Sequence, residues 1–299
     1  MMYFLKWNTV SLIFIAVSTI SLLLTFILPE SPVWLYSKGK KERAVQILCY
    51  LRSKPAHQLE EEIKDMENSS STINQNIPDT LKNSLKAWRQ FSIACAPFLI
   101  INVAGPNIFM SYSVILFDRL ESPFSGTDLA MVYTISGFIG SLLTPLFVHR
   151  FKRRVMLGVT AAGMTIGMAA ITIYEILFLH EEEKPFPWII PVLIAFITLQ
   201  INIGINPIAF IIGGELFPLE VRGALQGAYG FITCAHWALM LKYHPYILFK
   251  YGIIAMFTSF TVFSFLLLLY AIFLQPETKG KTLNEVQEQY FQSKKKANL

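Results

Sequence analysis

Seven stretches of the chain hold almost nothing but apolar residues, and the polar positions are gathered between them. The stretches run over about 8–28, 94–117, 129–148, 155–179, 188–212, 224–241 and 252–274. Crossing about 30 Å of hydrocarbon takes roughly 20 residues of α-helix, which each run approaches or exceeds. Inside hydrocarbon every backbone N–H and C=O needs a partner within the chain, so such runs cross as helices. The first, TVSLIFIAVSTISLLLTFIL, carries no charge, whereas the sixth is rich in Gly and small residues and ends at Lys242. The first run is longer than the apolar core of a signal peptide, and no small-x-small cleavage site precedes Pro29. It reads as a span. The pattern predicts an all-α, polytopic membrane helix bundle with about seven transmembrane helices.

Composition agrees with this reading. Apolar residues make up 54% of the 299 and charged residues only 15%, where a soluble domain holds about a quarter charged. A net charge of +5 could point to nucleic acid, but its placement does not. Taking the segments between spans alternately, 29–93, 149–154, 213–223 and 275–299 hold 20 of the 25 Lys and Arg residues. Positive residues stay on the cytosolic side, so these segments and the C-terminus are expected inside, and the N-terminus outside or in a lumen. The acidic turn from His180 to Lys184 then faces out. Glu175, near the end of the fourth run, is expected to snorkel to that outer surface. Cys49, Cys95 and Cys234 have neither metal nor disulfide spacing and are expected as small buried apolar side chains.

The sizeable aqueous piece is 29–93. Ala44, Ile47, Leu48 and Leu51 recur at helical spacing, and Leu59, Ile63 and Met66 do so after them. Two short amphipathic helices are expected here, against the cytosolic face of the bundle. The polar run NSSSTINQN at 68–76 reads as a flexible linker, and its sequon is discounted as cytosolic. Lys294 to Lys296 read as a solvated tail, with attraction to anionic lipid the alternative.

Punctuation repeats across the chain. Pro29-Glu30-Ser31-Pro32 follows the first span, and Pro276-Glu277-Thr278-Lys279-Gly280 follows the seventh. PESPVWL, HRFKRR, GELFPLEVRG and PETKGKTL, each standing between spans, together resemble the cytosolic signatures of the sugar porters of the major facilitator superfamily. The texture is most similar to facilitated trehalose transporters and their glucose-carrying relatives. The resemblance runs from Trp7 onward and implies one complete six-helix half, 94–274, preceded by a single helix, 1–28, with 29–93 as the inter-half segment and 275–299 as a cytosolic tail. Family helices 1–5 then have no counterpart here. The resemblance implies transport by alternating access, with trehalose or glucose as substrate, the lipid bilayer as surroundings, no cofactor and no nucleic acid. A plasma-membrane location follows from the same comparison. It also implies that a second chain would have to supply the other half, or that the chain is a non-transporting half-transporter. A seven-span receptor is disfavoured, because the long inner segment follows span 1 and neither Asp-Arg-Tyr nor Asn-Pro-x-x-Tyr stands in place.

The resemblance also implies site residues. On the family's helix 7 pattern, Asn102, Asn107 and Tyr112 fall on sugar-contacting positions, while a second amide position becomes Ile101. Helical arithmetic sets the two Asn about 140° apart, unless Gly105-Pro106 opens the helix. In span 5, Pro207 and Phe210 match a helix-bending Pro and a Trp that closes over sugar. A Gly of that pattern is Asn206 and a second Pro is Ala209, so the hinge is expected to be stiffer. In span 6 the family's Asn-Trp pair falls on Thr233 and Cys234, and in span 3 a polar position falls on Gly137. Arg150, Arg153 and Arg154, with Glu215, Arg222, Glu30 and Glu277, match the residues that hold the cytosolic side shut. His149 and Lys152 depart from that pattern. No residue pattern suits catalysis or metal binding.

Overall fold

The computed structural model describes residues 7–73, 87–120, 122–181, 184–217 and 221–280. The lysines at 294–296, and Glu182 and Glu183 of the acidic turn, lie outside them. Two compact units divide at Ile77 and Pro78.

The first unit begins with α1 (Trp7–Thr25), of whose apolar window only 6% is buried. A helix apolar on every side and left uncovered belongs in lipid. Three short helices follow: α2 (Pro32–Ser37), α3 (Lys41–Arg52) and α4 (Glu60–Ile73). Pro32 opens α2 at a position where its missing N–H costs nothing. Ser53 in the left-handed conformation ends α3. Leu35, Tyr36, Ala44, Leu48, Leu59 and Met66 form a small core, with Ile47 and Ile63 partly buried against it. Leu51 lies outside this core, 54% exposed. The expected linker is also shorter, because α4 continues through Ile73.

The second unit is the bundle. Its helices are α5 (Trp88–Val103), α6 (Pro106–Asp118), α7 (Gly126–Arg150), α8 (Arg153–Leu177), α9 (Ile189–Gln200), α10 (Asn206–Leu216) and α11 (Arg222–Phe273). The second span starts at Trp88, six residues before the sequence expectation. α5 and α6 are two parts of that span, and α9 and α10 are two parts of another, joined by a π-helical segment at Ile201–Ile205. α11 holds 52 residues, about 78 Å of helix at 1.5 Å per residue. Gly252 breaks it at φ 84°, ψ 179°, a left-handed turn that a side chain would resist. Spans six and seven therefore fall in one helical run broken at Gly252, and the described residues of the second unit hold five helices long and apolar enough to cross a membrane.

Methionines and small residues let α8 sit at the centre. Met156, Leu157, Ala161, Met164, Met168 and Ile171 are buried along it. Gly163 gives way to Gln200, Gly167 to Ile197 and Gly204 to Thr160, so backbones approach closely where packing has to replace a hydrophobic drive. By contrast α7 is largely uncovered, with 6% of its window buried and Phe138, Leu142 and Leu146 more than 60% exposed. Ser125 caps it in a reciprocal capping box with Asp128.

Candidate functional site

The second span breaks in its middle. Ala104 ends α5, Gly105 takes φ 107°, and Pro106 opens α6. A Cβ at Gly105 would press to 3.0 Å on the ring of Phe260, which fills the notch from span seven. The break removes the expected separation of the two amides. Asn107 Nδ2 donates to Asn102 Oδ1, and Asn102 is fully buried. Asn102 Nδ2 in turn lies 3.3 Å from Nδ1 of His236 on α11. A second histidine of that helix, His244, sets Nε2 3.2 Å from the Val103 carbonyl oxygen, an acceptor at the broken end of α5. Neither histidine figured among the sequence-predicted residues, although an ionisable ring within an apolar span is itself a functional signal.

The other predicted pocket residues are less directly joined to this pair. Tyr112 sits at a second irregularity, φ −130°, and packs against the apolar core without a hydrogen bond to either amide. Thr233 is buried, and its hydroxyl donates to the carbonyls of Tyr229 and Gly230 on its own helix. Phe210 is 61% exposed and meets Phe98 edge-on at 5.1 Å. Pro207 is half-buried directly after the π segment. That segment makes the span irregular where the stiffer hinge was expected. A widened turn frees backbone acceptors, and the Asn202 carbonyl accepts from Thr144 of α7 at 2.8 Å. The Asn202 amide lies beside Gly137, where a Cβ would come 3.4 Å from Nδ2. That Nδ2 donates to the Thr198 carbonyl at 3.0 Å.

Two cavities open elsewhere. One of about 450 Å³ is lined by Leu239, Met240, Lys242, Tyr243 and Tyr246 of span six. Another of about 310 Å³ surrounds Arg119, Tyr251 and Gly252. Neither includes a predicted pocket residue.

At the basic end of the bundle the predicted charges meet. Arg153 Nη2 lies 3.3 Å from Glu215 Oε1, and its Nη1 donates to the Val148 carbonyl at 2.6 Å. Thr278 donates its hydroxyl to Glu215 Oε2. Glu277 accepts from the backbone N–H of Arg153 at 3.1 Å and of Arg154 at 3.3 Å. A carboxylate placed there completes the open N-terminus of α8 and meets the positive end of its dipole. Arg154 Nη2 donates to the Ile272 carbonyl, and Lys279 Nζ to that of His149 at 2.6 Å. Four segments are thereby clasped together: the ends of α7, α10 and α11 and the start of α8. Thr278 was the missed member, although it stands within the quoted motif. Arg150 is exposed and takes no part in these bonds. Arg222 is half-buried, with an Nε that has no partner among the described residues. Glu30 belongs to the first unit and is exposed.

At the other end Glu175 does not snorkel. It is 3% exposed, and both its oxygens accept from Lys184 Nζ, at 2.9 and 2.8 Å. The same ammonium donates to the Leu120 carbonyl at 2.8 Å, and Tyr174 donates to the Pro185 carbonyl at 2.7 Å. The loop folds inward to bring the cation to the acid. Of the cysteines, Cys95 is buried as expected, whereas Cys49 is half-buried and Cys234 is exposed.

A multi-pass bundle with irregular helices at mid-span and a charged clasp at one end has the architecture of a membrane transporter. A family model described as "Sugar (and other) transporter" matches residues 3–290, and the chain belongs to that family. It is similar to the facilitated trehalose transporter Tret1 of Drosophila erecta, 24% identical over 291 residues that cover 95% of this chain and 34% of the relative. For Tret1 of Bombyx mori the identity is 24% over 290 residues, covering 95% and 57%. Among solved structures, the proton:xylose symporter XylE bound to 6-bromo-6-deoxy-D-glucose matches with a TM-score of 0.66 at 21% identity, over 89% of this chain and 55% of that one. The inward open xylose transporter XylE from E. coli matches with a TM-score of 0.56 at 19% identity, over 90% and 53%. The fold is that of the major facilitator superfamily. The chain spans between about a third and somewhat over half the length of these relatives.

Proposed function

We propose that the protein serves sugar transport by alternating access, with trehalose or a hexose such as glucose as substrate. The observation that carries this reading is the Asn102–Asn107 pair, held across a break in the middle of an apolar span. Amides are costly in hydrocarbon and mark a pathway there, and a sugar hydroxyl leaving water requires partners of that kind. The clasp around Arg153, Glu215 and Glu277 supports the second half of the reading. On the charge distribution it lies on the cytosolic side, where it would hold that end shut while the pocket faces out. In this reading 94–274 is one transporter half, 1–28 belongs to the other, 29–93 links them, and the location is the plasma membrane. Alternating access rocks one half against the other around a central site.

The test is uptake of labelled trehalose and glucose into vesicles containing this chain alone. Uptake above that of empty vesicles, saturating with sugar, is expected if one chain, or several copies of it, forms both walls. Uptake that appears only when a chain carrying the other half is co-inserted would assign it a pairing role. Uptake no higher than that of empty vesicles in both arrangements, with the protein folded and inserted, would reject transport.

A further inference from the structure

The two histidines of span six do different work. His244 is 1% exposed, bonds the Val103 carbonyl, and stands edge-on to Phe260 at 5.5 Å. It braces the break at Gly105. His236, two turns earlier, reaches the amides instead. Asn107 donates to Asn102, and Asn102 has its remaining amide nitrogen 3.3 Å from His236 Nδ1. The direction of donation fixes the imidazole. Nδ1 accepts, so the neutral ring carries its proton on Nε2. That Nε2–H belongs to a half-buried ring and has no partner among the described residues.

A network serving only to join helices would spend its last donor on a backbone carbonyl, as the second histidine does at Val103. This one ends in an open donor, midway along α5–α6 and midway between Arg222 and Gly252. Each bond in the row polarises the next, which strengthens the last donor.

We propose that His236 is a substrate-contacting residue that donates its Nε2–H to a sugar hydroxyl oxygen, at the end of the relay Asn107–Asn102–His236. The inference rests on the sugar-transport reading and adds to it the residue that selects among sugars. A site built to bond one hydroxyl rejects an analogue lacking it far better than an apolar pocket rejects a change of size.

Binding of labelled glucose and trehalose to the purified chain is measured by equilibrium dialysis, with positional deoxy and fluoro glucose derivatives as competitors. Fluorine keeps an acceptor and removes the donor, whereas a deoxy position keeps neither. At the hydroxyl facing His236 the fluoro sugar should compete, and the deoxy sugar should compete about tenfold less, the worth of one hydrogen bond. His236→Asn keeps an acceptor for Asn102 and removes the distal donor. It should weaken sugar binding about tenfold and erase the difference between fluoro and deoxy competitors. Independently of any variant, bound sugar should slow modification of His236 by diethyl pyrocarbonate, read on its peptide by mass spectrometry, with exposed His180 as the unprotected control. Unchanged affinity in the variant, or equal modification of His236 with and without sugar, overturns its role and leaves the transport reading standing. A parent chain that binds none of these sugars overturns both.

Discussion

Glu175 shows what one residue does when sequence position and environment disagree. A carboxylate near a span end is expected to reach water, since a charge in hydrocarbon is expensive. Here the chain brings Lys184 to it instead, with side-chain exposures of 6% for the lysine and 4% for the acid. Removing one member of so buried a pair strands the other, which costs about 3–5 kcal/mol. Glu175→Gln should therefore lower the thermal unfolding midpoint in detergent by many degrees. Replacing both, as Glu175→Leu with Lys184→Met, should recover most of that loss, because an apolar pair of similar volume avoids the desolvation altogether. A double variant as unstable as the single one would show that the loop is held by something other than the ion pair. The pairing was not legible in the sequence. Its partner stands nine residues on, across a turn whose path depends on Tyr174 and Leu120 as much as on charge.

The breaks inside helices were partly legible. Gly105-Pro106 announced an opening, since Pro lacks the N–H and Gly tolerates positive φ, but regular helical arithmetic could not place Asn107 against Asn102. Gly105→Ala should cost more than about 1 kcal/mol, because φ 107° is strained for any side chain and the new methyl meets Phe260. Thermal unfolding would register the strain, and sugar binding should fall further than stability alone explains. The π segment at Ile201–Ile205 was half-hidden: Pro207 marked a bend, but nothing in INIGI announced a widened turn. It exposes the Asn202 carbonyl, which Thr144 satisfies. Thr144→Val keeps the shape and leaves that acceptor empty, so a loss of about 1 kcal/mol is expected. A variant as stable as its parent would mean that the freed carbonyl finds another donor.

At the scale of the molecule, the span pattern and the spacing of charged punctuation made the bundle readable, because lipid imposes period and length on every crossing. Which charges would meet was less readable. Arg150 and Arg153 stand on the same short connection, yet only Arg153 reaches Glu215, because distance along the chain does not give the direction in which a helix end points. The clasp joins four helix ends of a single half, so in the proposed cycle it acts by fixing the face against which the other half closes. One charge-assisted hydrogen bond contributes about 1.5–3 kcal/mol, and each 1.4 kcal/mol is tenfold in a population. In the proposed cycle, Arg153→Ala or Glu215→Gln should favour the inward-open state. A cysteine placed at Leu239, in the span-six cavity that the proposed topology puts toward the outer side, would report on this in a Cys234→Ala background, which removes the exposed native thiol. Its labelling by a membrane-impermeant maleimide from outside should slow several-fold in each clasp variant. The pair of substitutions together should slow it little more than either alone, since both break the same contact. Equal labelling rates in parent and variants would show that these charges anchor helix ends and do not control the gate.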